Sequence, residues 1–341
     1  MIKKFIGKIL RFSVIGLIPV LIFGGIYLYY DPFKVLYEYD SFYDSASKDV
    51  VNLNRDFLST STFIKNNPDE QYDSFILGSS RSIFYEVADW KPHLSPDAKC
   101  FHFDASGESL WALHKKVLFI DEQGNEIDNI LLILDFDTLI QDQPKSGHLG
   151  VISPALVDNN NQFEFHKEFF TAFLNPKFLY AFMDYKITDE IKPYMRKGNL
   201  LDDRKRNYDP LTNEIRFEHY EELIEKGEYY TPERLAVFYD RDSKQTYLKP
   251  SIKENQKRML NEIAAIVEKQ NTKLRIVISP AYDQKKFNPE DLAFLNETFG
   301  TDSVFDFSGI NEITQDYRNY YESAHYRPHV AKQIMDSIYK K

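Results

Sequence analysis

Residues 74–84 read SFILGSSRSIF, from Ser74 to Phe84. Phe75, Ile76 and Leu77 run into Gly78, and Ser79, Ser80 and Arg81 follow before the chain turns apolar again. A short apolar run closed by glycine and small polar residues is the pattern of a buried strand followed by a turn. Ser80 is then either a nucleophile held at a strand end or one member of a polar turn. The segments on either side bear on that choice.

Upstream, VVNLNRDFLSTSTFIKNN reads as a helix, and SRSIFYEVADW begins another. Downstream, KCFHFDAS is a short strand and turn, and ESLWALHKKVLFIDEQ spaces Leu110, Leu113, Val117 and Ile120 as one helix face. IDNILLILDFD is a near-continuous apolar run ending in Asp135 and Asp137, as expected of a strand buried on both faces. Strand, helix, strand, helix, strand from Tyr72 to Asp137 implies a parallel sheet with crossover helices. The pattern resumes at 251–271 with an amphipathic helix carrying Met259, Ile263, Ile266 and Val267. KLRIVISPAY, a helix with Pro289 in its first turn and Gly300 past its end, DSVFDFSG, and a loop passing into a terminal helix near Arg327 complete it. The expected fold is α/β: a three-layer, doubly wound sheet of about five parallel strands. Residues 141–247 interrupt it as an aromatic-rich, largely helical insertion, read either as a packing subdomain or as a lid over the substrate.

The 341 residues suit one large domain or two small ones at roughly 100–200 residues each. A net charge of −10, with no long basic block beyond the first eleven residues, argues against nucleic acid as a partner. A single cysteine, Cys100, excludes an intrachain disulfide and a Cys-based zinc cage. The stretch 12–30, FSVIGLIPVLIFGGIYLYY, carries no charge. As a helix it spans about 28 Å, close to a bilayer's hydrocarbon core. Lys3, Lys4, Lys8 and Arg11 precede it, and Asp31, Glu38 and Asp40 follow. That asymmetry puts the N-terminus in the cytoplasm and the bulk of the chain outside, periplasmic or extracellular. The rival is a cleaved signal peptide, but GGIYLYYDP has no small-residue cleavage site, which favours a retained single-pass anchor. The expected organisation is a cytoplasmic stub and anchor over 1–30, a connector over 31–48, and the α/β domain over 49–341.

Sites in such sheets form at the carboxyl ends of the strands. Those ends gather Ser79–Ser80–Arg81, Asp104–Ser106–Gly107, Asp135–Asp137 and Ser279, and the loop before the last helix adds Glu322 and His325. Serine, histidine and a carboxylate suit acyl transfer: the base takes the serine's proton and the carboxylate orients the base. His102 and His114 read as structural. His325 and His329 stand four apart, but Pro328 lies between them, so a metal site is not favoured and no cofactor is expected.

Three blocks of the chain resemble the SGNH, or GDSL-type, hydrolases and acyltransferases. GSSR resembles their first block, with Ser79 in place of Asp and Ser80 as nucleophile. Gly107 in FDASGES resembles the glycine whose amide helps hold the oxyanion, and ESAH resembles their Asp-x-x-His, with Glu322 as the acid and His325 as the base. The resemblance spans roughly Tyr72 to Lys341 apart from the insertion. It implies catalysis by Ser80, His325 and Glu322, with the amides of Ser80 and Gly107 as oxyanion hole. Apart from the resemblance, Arg81 either clamps an anionic substrate or pairs with a carboxylate, Asp137 is a candidate for substrate contact, and Asp135 and Asp137 either bind a cation or, the favoured reading, supply a cap for the following segment. Two departures stand out. The third block's asparagine is missing, because the strand ends in LDFD, and Glu replaces the usual Asp. Asp306 is the rival acid. The short GSS block and the missing asparagine are also similar to membrane-anchored relatives that modify cell-envelope polymers beside a membrane-bound O-acyltransferase. The resemblance thus implies a serine esterase or O-acyltransferase acting on an acylated, O-acetylated cell-surface glycan. The alternative is a degenerate scaffold subunit of an envelope polysaccharide assembly or modification complex.

Overall fold

The apolar run 129–134 lies at the centre of a five-stranded parallel sheet. The computed structural model describes residues 2–43, 50–157 and 162–340; within the first helix the described side chains are those of 5–8 and 17–30. The sheet strands are β1 (Ser74–Gly78), β2 (Cys100–Asp104), β3 (Asn129–Leu134), β4 (Lys273–Ile278) and β5 (Val304–Asp306). The helices of eight residues or more are α1 (Ile2–Tyr30), α2 (Arg55–Glu70), α3 (Leu110–Glu122), α4 (Gln162–Phe173), α5 (Pro176–Thr188), α6 (Glu218–Glu225), α7 (Glu254–Gln270), α8 (Pro289–Phe299) and α9 (Pro328–Ile338).

The strand order is β2-β1-β3-β4-β5. The chain therefore reverses direction between β1 and β3, and at such a switch point the loops leave on opposite faces and open a crevice at the carboxyl ends. Alternate side chains of β3 feed two cores. Ile130, Leu132 and Leu134 pack with Phe63 of α2, Leu113 of α3, Leu260 of α7 and Leu295 of α8. Leu131 and Ile133 pack with Trp90 and with Val330 and Ile334 of α9. Each such buried aliphatic contributes about 1.5–3 kcal/mol, so a strand apolar on both faces is held from both sides.

The segment 81–90 departs from the helical expectation. It is a single 3-10 turn at Ser82–Phe84 and one helical turn at Val87–Trp90, because Tyr85 leaves helical geometry at φ −85° and ψ 88°. Phe84, Tyr85 and Trp90 are all buried, and their packing overrides local propensity. The loop before α9 is a small antiparallel hairpin, Tyr320–Glu322 paired with His325–Tyr326.

The insertion has two halves. Its first, the hairpin of α4 and α5, packs not on the sheet but against the end of α1: Tyr27 meets Phe170 and Phe173 at ring-centroid distances of 5.3 Å, and Tyr30 meets Phe182 at 5.7 Å. Its second half, from Arg204 to Arg234, stands over the mouth of the sheet. The segment after α1 is tied down as well. The Asp31 carboxylate accepts from the amides of Val35 and Leu36 and from the Tyr39 hydroxyl, and Phe33, Val35 and Phe42 are buried. Residues 44–48 of the expected connector lie outside the described residues. Among the described residues no helix is long and apolar enough to cross a membrane. In α1 the described run of 17–30 is shorter than the roughly 20 residues a span needs, and 12–16 of the anchor stretch lie outside the described side chains.

Candidate active site

The turn after β1 is set by Gly78. Its φ is +155°, and a Cβ there would lie 2.7 Å from the Ile133 carbonyl oxygen of the neighbouring strand. Only glycine lets β1 end against β3 so closely. Ser79 and Ser80 emerge at that point. The Ser79 hydroxyl donates to Asp135 Oδ2 at 3.0 Å and is buried, whereas Ser80 is half-buried and lines the crevice.

Ser80 Oγ lies 2.7 Å from His325 Nε2. On the far side of the ring, His325 Nδ1 bonds Glu322 Oε1, and the other carboxylate oxygen accepts from the Ala324 amide at 2.7 Å. The i, i+3 spacing is a product of the hairpin: Glu322 and His325 are its directly opposed pair across a two-residue turn. Facing residues of an antiparallel pair hold their Cβ atoms about 5 Å apart, so the carboxylate meets the ring without a long reach. An ionised carboxylate can only accept. Nδ1 therefore carries the hydrogen, and Nε2 is free to take a proton from Ser80. Burial tends to raise the Glu322 pKa, but the hydrogen bond and charge of His325 and the Ala324 amide together bring it below the ordinary glutamate value.

Several contacts hold the hairpin. Arg81 Nε donates to the Ala324 carbonyl at 2.9 Å, and its Nη1 meets Asp135 Oδ2 at 2.5 Å. Asp135 also caps the turn after β3, accepting from the Thr138 amide at 2.8 Å. Its carboxyl is held low: burial opposes ionisation, but the Arg81 charge and three hydrogen bonds outweigh it. From the insertion, Glu221 of α6 bonds Arg327 and the Tyr321 hydroxyl. Arg81 and Asp137, candidates for substrate contact, do not line the cavity. Arg81 is spent on Asp135 and Ala324, while Asp137 is exposed and 4.0 Å from it. The rival acid Asp306 lies elsewhere, bonded to Lys286 at 2.8 Å and to the Ser308 amide.

Where the third-block asparagine was expected, Asp135 is an acceptor already engaged by Arg81, Ser79 and Thr138. The candidate oxyanion donors are backbone amides. Neither Ser80 N–H nor Gly107 N–H has an acceptor among the described residues. Gly107 sits at φ +58° in the turn after β2, where Lys145 bonds its carbonyl. It lines a small side cleft rather than the main cavity, and Ser106 lines both. Behind that turn, fully buried Lys116 holds Glu108 at 2.5 Å and Asp56 at 3.3 Å, fixing the loop from beneath.

His102 is buried, 3.3 Å from the Ser82 hydroxyl, and burial lowers its pKa to about 4, keeping it neutral. His114 bonds Glu262 at 2.6 Å, and His329 bonds Asn319 rather than joining His325.

The triad opens into a cavity of about 420 Å³, within the range of small-molecule sites. Phe84, Phe217, Tyr220, Tyr229 and Tyr321 form one wall, and Arg55, Arg204, Arg206 and Arg234 supply the charge. Both readings of the insertion find a counterpart, its first half packing on α1 and its second half lining the cavity, but the lining residues themselves were not named from sequence. The available signal was a set of arginines set among aromatics, 204–234, in a chain that is acidic overall. Compared with known proteins, the chain matches no family model and no curated protein.

Proposed function

We propose that the chain is a serine esterase or O-acyltransferase of the SGNH kind, held to the cytoplasmic membrane by α1 and acting outside the cytoplasm on an acylated, O-acetylated cell-surface glycan. The observation that carries the reading is the relay from Ser80 through His325 to Glu322, in hydrogen-bond contact throughout. Ser80 Oγ attacks the acyl carbonyl as His325 Nε2 takes its proton. The amide of Ser80 receives the developing oxyanion, and the Gly107 amide, in the side cleft that meets the cavity at Ser106, is the candidate second donor. The carbonyl re-forms, the C–O bond to the leaving alcohol breaks, and His325 returns the proton to that alcohol. Water or a sugar hydroxyl, deprotonated by His325, then attacks the acyl-serine and regenerates Ser80. A membrane-bound O-acyltransferase supplying the acyl group fits the transferase version.

A serine-directed fluorophosphonate tests the chemistry. Labelling of the wild type and none of Ser80→Ala is expected. A folded wild type that stays unlabelled, or equal labelling of both, refutes it and favours the second reading, a scaffold subunit. That reading draws on Asp135, which leaves the β3 end without an amide donor. For the anchor, the full chain should fractionate with membranes and resist high-salt extraction. A soluble product beginning near Tyr30 overturns it.

A further inference from the structure

The cavity's charge is at odds with the chain that surrounds it. The protein carries a net charge of −10, yet four arginines line the cavity against one carboxylate, Glu322, which already serves His325. Three of the four have a carboxylate partner behind the cavity. Arg55 is bonded to buried Asp104, and Arg204 and Arg206 share Asp202. Arg234 differs: among the described residues no carboxylate pairs with it. Its guanidinium lies 4.0 Å from the Tyr229 ring centroid and 5.1 Å from that of Tyr220. The two rings attract the guanidinium by cation–π interaction, and among the described residues no acceptor takes its N–H groups. A cleft with an excess of one sign concentrates ligands of the other.

The position of Arg234 relative to the triad is also defined. Phe84 is 5.8 Å from the His325 ring, Tyr321 is 5.5 Å from Phe84, and Tyr229 is 5.7 Å from Tyr321. A continuous run of closely packed, largely buried aromatic rings thus links the base to the cation and fixes their separation. We infer that Arg234 is an anion subsite: the substrate is an acidic glycan, with the acyl ester at Ser80 and a carboxylate or phosphate on a neighbouring unit held by the Arg234 guanidinium. This rests on the acyl-transfer reading of the Ser80 site and adds its substrate class. The carboxylate and phosphate share one chemistry, an oxyanion that accepts a forked pair of N–H bonds.

The full chain carrying Ser80→Ala, in detergent micelles, allows binding to be measured without turnover. Three probes are titrated by calorimetry: tetragalacturonate, its carboxyl-reduced neutral counterpart, and a glycerol phosphate tetramer. At least one acidic probe is expected to bind about tenfold or more tighter than the neutral one, with the preference shrinking as salt is raised. Whichever acid is preferred identifies carboxylate or phosphate. Adding Arg234→Gln should abolish the preference, and Arg234→Lys should retain part of it. Equal affinity for acidic and neutral probes, no binding of either acid, or a preference that survives Arg234→Gln overturns the subsite. Should Arg234→Gln fail to fold, the acid-to-neutral ratio and its salt dependence in the Ser80→Ala chain decide. Fluorophosphonate labelling of the wild type is read separately, so labelling without acid preference refutes the subsite alone, and acid preference without labelling refutes the ester chemistry alone.

Discussion

Replacing Arg81 by Met separates stability from catalysis. The Arg81 side chain is 16% exposed and that of Asp135 is 7% exposed, so their ion pair is largely withdrawn from water. Removing one partner of a buried pair costs about 3–5 kcal/mol, because the other charge is left uncompensated. Asp135 keeps donors in Ser79 and Thr138, which points to the lower end, about 3 kcal/mol. At roughly 2 °C per kcal/mol for a large domain, Tm should fall by about 6 °C. The second effect is on rate. Arg81 also holds the Ala324 carbonyl between Glu322 and His325. Letting the imidazole drift by about 1 Å should lower turnover about 10²-fold, with KM for a small ester unchanged because Arg81 does not line the cavity. Arg81→Lys should recover much of the stability, as its ammonium reaches Asp135, but little of the rate, since it cannot also serve Ala324. The assays are p-nitrophenyl acetate hydrolysis and thermal melting. A rise in KM at constant kcat would make Arg81 a substrate contact and sink the clamp. So would full activity in a Met variant whose Tm has dropped.

Three further outcomes are expected. Glu322→Gln keeps the size of the side chain but removes the charge facing the imidazolium, and should lower kcat by several orders of magnitude, whereas Asp306→Asn should leave kcat near wild type; the reverse pattern in folded proteins moves the acid to Asp306. Gly78→Ala forces a Cβ to 2.7 Å from the Ile133 carbonyl oxygen and should destabilise by roughly 3 kcal/mol or more, visible as a lower urea midpoint; an unchanged midpoint removes the argument for close strand approach. Because the folded Asp135 carboxyl is depressed, the stability it contributes is present above the unfolded value near 3.9 and is lost as pH falls through the folded value. Wild-type stability minus that of Arg81→Met/Asp135→Asn should be flat above about pH 5 and move against wild type below about pH 4; a change centred near pH 6 contradicts the assignment.

The parts of this molecule that could be read from its sequence are those whose cause is local or periodic. NILLIL reads as a buried strand because both faces are covered, and α8 is bracketed by Pro289 and Gly300. Ser80 could be nominated because strand ends in this architecture converge, and its choice over Ser79, like the pairing of Glu322 with His325, rested on resemblance to known motif blocks; the structure brings the three into contact. The hairpin that presents two of them was not legible, since strands of two or three residues are too short to express a period. The sequence leaves Arg81 open between an anionic substrate and a carboxylate; the fold brings it to the carboxylate of Asp135 and the carbonyl of Ala324, neither of which is near it in sequence. The pairing of Arg55 with Asp104 and the stacking of Arg234 on Tyr229 join residues far apart or within an irregular insertion. Segment 81–90 misled for another reason: it carries no strong helix breaker, but burial of Phe84, Tyr85 and Trp90 sets its path.

The seating of Tyr27 and Tyr30 among Phe170, Phe173 and Phe182, with Asp31 hooking the next turns, leaves no slack between α1 and the domain. The helix is therefore keyed to the domain in phase as well as in position. One residue inserted between Leu21 and Ile22 would turn everything before it by about 100° relative to the cavity and advance it by about 1.5 Å, like one step of a screw. Seven would bring it back to within about 20° of the original facing, two turns farther out. Length alone would not describe such variants; their behaviour should repeat with the helical period.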